Sequence, residues 1–96
     1  MKTYKLILSS VWYNVSYVFS TKTDYAGTDG QDCLRHVLPF LLQQYPAVQA
    51  IIRQHGAPTH MQLQRVLLPA TRTCVGCGSV MEPPYIELGH HCINCA

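Results

Sequence analysis

Hydrophobic and polar positions alternate along the first part of the chain. Tyr4, Leu6 and Leu8 fall on one side of a two-residue period, with Lys5, Ile7 and Ser9 on the other. From Trp12 to Thr21 the alternation is cleaner: Tyr13, Val15, Tyr17 and Phe19 oppose Asn14, Ser16, Val18 and Ser20. β-Branched and aromatic residues are dense in both runs, as a half-buried pleated surface requires. The pattern predicts two strands, Tyr4–Ser9 and Trp12–Thr21. The turn around Ser9, Ser10 and Val11 lacks the Asn-Gly or Asp-Gly signal of a tight hairpin. Six of the nine aromatic residues lie between positions 4 and 25. Their regular period favours a sheet core over a base-stacking platform, with Trp12 at the hairpin end the aromatic most exposed.

The period then changes. Asp24 to Gly30 reads as a loop broken by Gly27 and Gly30, and Thr28-Asp29-Gly30-Gln31 has the form of a capping box. Leu34, Val37, Leu38, Leu41, Leu42 and Tyr45 follow at offsets of three and four, which puts all six on one helical face. Pro39 lies inside that stripe and removes the N–H that would bond to the Arg35 carbonyl, so a kink or restart is expected there. A second helix is expected from Pro46 to His55, with proline at a favoured first position, Val48, Ile51 and Ile52 inward, and Gly56 and Pro58 as the stop. From His60 to Leu68 the period returns to two, with Met61, Leu63 and Leu67 against Gln62 and Gln64. This predicts a third strand, the alternative being a short helix capped by Thr59 and Gln62. Pro69-Ala70-Thr71 links to the remainder.

Composition narrows the class. The chain has 96 residues, 48% of them hydrophobic and 12% charged, which fits a folded domain with a modest core and few surface charges. Scarce charge hints at apolar surface covered by a partner. No run of about 18 apolar residues exists to span a membrane. Lys2 and Lys5 precede an apolar run to Phe19, but Ser9, Ser10, Asn14 and Ser16 interrupt it, so a signal peptide is not expected.

The last quarter carries the chemistry. Cys74-Val75-Gly76-Cys77 and Cys92-Ile93-Asn94-Cys95 are separated by fourteen residues. Two thiolates two residues apart grip one face of a tetrahedral ion, and a second such pair closes the other face. Gly78 and Gly89 allow tight turns beside the pairs. The expected ligands are therefore Cys74, Cys77, Cys92 and Cys95, with His90 or His91 as an alternative fourth donor. A full set of four cysteines leaves no open position for water, which makes the metal structural and not catalytic. Zinc is expected; a four-sulfur site also accepts iron, which would imply a redox role.

Residues 74–96 resemble a zinc ribbon, on the strength of the two cysteine knuckles, an expected strand at Tyr85 to Leu88, and a bend at Pro83-Pro84. The resemblance implies one zinc ion clamped beside a small hairpin or three-stranded sheet. With the last ligand one residue before Ala96, a treble-clef helix is not expected, and the ribbon could borrow an edge from the N-terminal sheet. The organisation expected is α+β: a short antiparallel sheet packed on a kinked helix, residues 1–69, with a zinc-ribbon module, residues 70–96, sharing one core or appended to it.

Charge bears on the partner. Residues 1–69 hold six bases (Lys2, Lys5, Lys22, Arg35, Arg53, Arg65) against three acids, giving +3, whereas residues 70–96 hold Arg72 against Glu82 and Glu87, giving −1. Four thiolates on a divalent ion bring the tail near −3, a potential that repels phosphate. A nucleic-acid role would thus fall to Lys2, Lys5, Lys22 and Arg35. Other chemistry is thin. Cys33 and His36 lie three apart on one helix face, without a third orienting group, and His55 and His60 have no evident partners. Paired C-x-x-C motifs and an odd fifth cysteine favour a reducing compartment, hence a cytoplasmic location. The reading is a small non-enzymatic zinc protein that binds another protein as a regulator, adaptor or inhibitor of a larger complex, such as one encoded by a mobile element. The alternatives are a nucleic-acid-binding accessory factor and an iron redox protein.

Overall fold

The computed structural model describes residues 1–25, 30–67, 71–89 and 91–92, and of residues 30, 31, 91 and 92 the backbone only. Strands β1 (Lys2–Ser9) and β2 (Asn14–Thr21) precede helices α1 (Gly30–Gln44) and α2 (Pro46–His55). Then come β3 (His60–Arg65), β4 (Arg72–Thr73), β5 (Val80–Met81), β6 (Tyr85–Leu88) and β7 (His91–Cys92). Five strands form one sheet in the order β3-β1-β2-β6-β7, with every neighbouring pair antiparallel. β4 and β5 make a separate two-stranded ribbon. The α+β class holds.

The alternation in the first two strands sets one face of the sheet. Tyr4, Leu6, Leu8, Val15, Tyr17, Phe19 and Ile86 are buried together with Cys33, Val37, Leu41 and Val48 from the helices. Each such aliphatic side chain contributes about 1.5–3 kcal/mol by leaving water. The tyrosines also use their hydroxyls as anchors. Tyr4 Oη accepts the Tyr25 backbone N–H at 2.9 Å, Tyr17 Oη donates to Gln44 Oε1 at 3.3 Å, and Tyr45 Oη donates to the Pro84 carbonyl at 3.2 Å. Burial pushes the Tyr17 hydroxyl above its ordinary 10.0, which keeps it a donor.

α2 has the bounds that its proline and glycine dictate. Pro46 opens it, and Gly56, at φ +87°, closes it by donating its N–H to the Ile52 carbonyl at 2.8 Å. Of the kink or restart expected at Pro39, the restart does not occur: α1 runs as one helix through Pro39. Pro39 and Arg35 are both exposed, so water can serve the carbonyl that the proline leaves without its helical donor. The capping box at 28–31 lies outside the described residues. β3 is a strand, and Thr59 just before it donates its N–H to the Ser9 carbonyl at 2.9 Å and does not cap a helix. It ends at Arg65, leaving Leu67 exposed where an inward position was expected.

The opposite face is covered differently. Ser16, Val18 and Glu87 lie on it and are buried, although both helices are on the other side. Cys74 and Met81 form a second small cluster with Tyr85 packed against it, and Arg72 reaches Glu87 across this face. β6 pairs with β2 from Val15↔Leu88 to Val18↔Tyr85, so the strand whose Tyr85 packs against this cluster is also a strand of the main sheet.

Candidate metal centre

The first cysteine pair sits in the loop between β4 and β5. Cys74 N–H donates to the Ser79 carbonyl at 2.8 Å, and Gly78 N–H returns to the Cys74 carbonyl at 2.9 Å. The loop closes through Gly78 at φ +75°, a conformation that an L side chain would strain. The turn places Gly76 N–H 3.4 Å from Cys74 Sγ. An N–H aimed at sulfur complements the thiolate, the form that binds metal. Cys77 Sγ lies 3.2 Å from Ser79 Oγ, the thiol donating; with a thiolate the hydroxyl would be the donor. Cys74 is buried against Met81 and Tyr85, while Cys77 is exposed.

The second pair enters through β7. Gly89 turns the chain between β6 and β7 at φ +68°, its N–H held by the Asn14 carbonyl at 2.9 Å, and the Cys92 backbone comes opposite Glu87. The Cys92 side chain, Cys95 and His90 lie outside the described residues, as does the His91 side chain. Among the described residues no group of three or more His, Cys, Asp or Glu side chains is placed to hold an ion, which leaves Cys74 and Cys77 as the described half of the expected set. Their donor chemistry and their loop fit a tetrahedral thiophilic ion.

A feature that local pattern did not single out links the two halves. Arg72 Nε lies 3.4 Å from Glu87 Oε2. Arg72 leads into the first pair, and Glu87 stands opposite Cys92 on the neighbouring strand. The Glu87 side chain is 2% exposed, and neither carboxylate oxygen has a hydrogen bond among the described residues. The contact is longer than a charge-assisted hydrogen bond, so the pair is held by Coulomb attraction between a buried carboxylate and a partly exposed guanidinium. The signal available was Arg72 as the one base of the tail, with Glu87 inside an otherwise apolar strand.

The remaining candidates separate. Cys33 is fully buried, and burial pushes its thiol up to about 11, whereas His36 is exposed beside the Tyr25 ring. A core thiol and a solvent-facing imidazole do not make a nucleophile and base. His55 stacks on Trp12 at 5.9 Å, and His60 Nδ1 lies 3.1 Å from Thr59 Oγ1. Several bases are engaged: Lys2 with Asp24 at 2.7 Å, Arg35 with Asp32 at 3.9 Å, and Arg65 over the Tyr4 ring at 5.5 Å. No helix among the described residues is long and apolar enough to cross a membrane. No protein-family model, curated protein or solved structure matches the chain.

Proposed function

We propose that this chain is a small protein-binding regulator or adaptor whose C-terminal segment is clipped by a structural zinc ion. The observation that supports the metal is the 74–79 loop, where Gly76 N–H faces Cys74 Sγ and Gly78 adopts φ +75°. Cys74 and Cys77 would hold one side of the ion, and Cys92 and Cys95 the other. When bound, the ion supplies rigidity: four thiolates complete its shell and leave no position for a substrate. Binding energy at such a site is folding energy for the segment around it. The function then belongs to the protein's surface, where large apolar side chains are exposed: Val75 and Val80 in the clipped segment, and Trp12 and Phe40 elsewhere. The engaged state of Lys2 and Arg35 weighs against phosphate contacts as the main interaction, and a cytoplasmic location follows from the need to keep thiols reduced.

Metal analysis of freshly purified protein is expected to give one zinc per chain, and Cys92→Ser is expected to release it. Strong visible absorption from iron would replace this reading with the redox one. For the partner, binding of duplex and single-stranded nucleic acid across a salt series is expected to be weak. Tight binding with a steep negative salt slope, together with no protein partner at endogenous concentration, would overturn the protein-binding role.

A further inference from the structure

A cleft of about 650 Å³ opens between α1 and the end of β2, with Tyr17, Phe19, Tyr25, Val37, Phe40 and Pro84 among its walls. Its size falls in the range of ligand sites. Among the described residues its lining includes no Asp, Glu, Lys or Arg; Met1, the N-terminus, and His36 are part of it. Phe40 on the rim is 63% exposed, a large apolar side chain left in water beside a concave aromatic surface.

The floor of this cleft is an open sheet edge. β6 covers β2 only as far as Val18, opposite Tyr85, while β1 continues alongside to Thr21. The Asn14 carbonyl accepts from Gly89 and so points toward β6, whereas the Tyr13 carbonyl accepts from Ser10 on the β1 side. Backbone groups of alternate strand residues point to the same side, so those of Ser16, Val18 and Ser20 also point toward β6. Continued past Tyr85, the register would set Pro83 opposite Ser20. Proline has no N–H to give, and the ladder stops. The Ser20 N–H and carbonyl therefore face a place where, among the described residues, no strand lies, and Ser20, Thr21, Pro83 and Pro84 all line the cleft.

We infer that this place takes an extended, uncharged peptide segment of a partner protein. The segment adds to β2 at Ser20 in line with β6 and sets an aromatic or large aliphatic side chain into the cleft. Main-chain pairing at an open edge supplies affinity, and the pocket for an alternate side chain supplies selectivity. Its aromatic and aliphatic walls match an uncharged side chain, since a charged one set among Tyr17, Phe19, Val37 and Phe40 would lose water without a charged side chain of Asp, Glu, Lys or Arg beside it among the described residues. Met1 and His36, both exposed, are the groups of the lining that carry or can take a charge. The inference deepens the protein-binding reading and rests on it: it names the groove and the chemistry of what enters.

Selection of a random heptapeptide phage library on the full zinc-loaded chain tests it. Recovered sequences are expected to be poor in Asp, Glu, Lys and Arg and to share one aromatic or large aliphatic position. Synthetic versions are expected to shift the backbone amide resonances of Ser20, Thr21 and Phe40. Phe40→Asp on the exposed rim, and N-methylation of the peptide amide that faces Ser20, are each expected to weaken binding by about tenfold or more, the loss of a paired backbone group or of an anchor's contact. The N-methyl peptide leaves the protein unaltered, so that readout survives a variant that fails to fold. Peptides that shift only residues near Trp12, or that bind Phe40→Asp unchanged, overturn the assignment. So does a selection that yields no binders. If indole alone shifts the same amides in that case, the cleft is a small-molecule site instead. A natural partner captured equally by wild type and Phe40→Asp would leave the protein-binding role standing and remove this groove from it.

Discussion

On the helix-covered face of the sheet, Leu6, Leu8, Leu41 and Val48 are fully buried among apolar neighbours. On the other face the cover is a hairpin of two two-residue strands, a cluster built on Cys74 and Met81, and an ion pair whose carboxylate has no hydrogen bond among the described residues. The first face is stabilised by area removed from water, which needs no exact partner geometry. The second has little area to bury, so it depends on a few directional contacts and, in our reading, on metal–sulfur bonds. One sheet thus carries two kinds of stability, and they should fail under different treatments.

Removing the metal is the strongest way to separate them. Structural zinc in small modules is worth about 10–16 kcal/mol at neutral pH, so chelation is expected to abolish ordered structure around Cys74 and in β7. Hydrogen exchange with and without a chelator checks this: amides of β4, β5 and β7 should lose protection while those of Leu6 and Leu41 keep most of theirs. Equal loss on both faces would show a single cooperative unit. Next in size is Leu41→Ala, which empties a fully buried site. A cost of about 2–5 kcal/mol is expected, read as a lower urea midpoint with metal still bound.

The ion pair gives a smaller but more discriminating comparison. Arg72→Ala leaves the Glu87 carboxylate buried without its charge partner, and a loss of about 1–3 kcal/mol is expected. Glu87→Gln removes the buried charge itself and should cost less, because Arg72 is 41% exposed and can turn to water. The reverse order in thermal melts would mean that the pair is more than a compensation for burial. Smallest at ordinary pH is the effect of Cys33. Its folded-state thiol is raised from 9.0 to about 11, so above pH 9 the unfolded chain loses a proton that the native chain keeps. Stability from this group is intact below about 9 and is lost as pH rises toward 11. Cys33→Ala should flatten that limb of the stability profile.

Elements governed by local pattern were legible in the chain. The alternation from Tyr13 to Phe19 marks the strand and its buried face, and proline and glycine mark both ends of α2. Tyr85–Leu88 is the strand that its apolar residues announce. What was not legible depends on distant residues. Ser16 reads as a polar, outward position, yet β6 and the tail bury it. Glu87 reads only as a charge of the tail, and its burial beside Arg72 depends on a residue that another strand brings to it. Leu67 continues an apolar alternation past Arg65, where the β1–β3 ladder stops, so it ends in water. At the site, spacing points to Cys74 and Cys77, and the glycine after the pair points to a tight turn that aims a backbone N–H at sulfur, as that of Gly76 does at Cys74.

The strand order carries a consequence for assembly in time. β2 must wait for β6, so Tyr17 finds Ile86 only after most of the chain is available. β1 likewise closes on β3 across both helices. Such distant pairings are slow to form, because chain entropy is lost before the contact rewards it. A nascent chain that has made only β1, β2 and the helices would expose the whole β6 side of β2, from Asn14 to Thr21, to any other extended strand nearby. In the finished protein Pro83 and Pro84 leave only its last residues open. The mature groove at Ser20 is then what remains of a much longer edge, and the speed with which the tail folds back decides how long that edge is available.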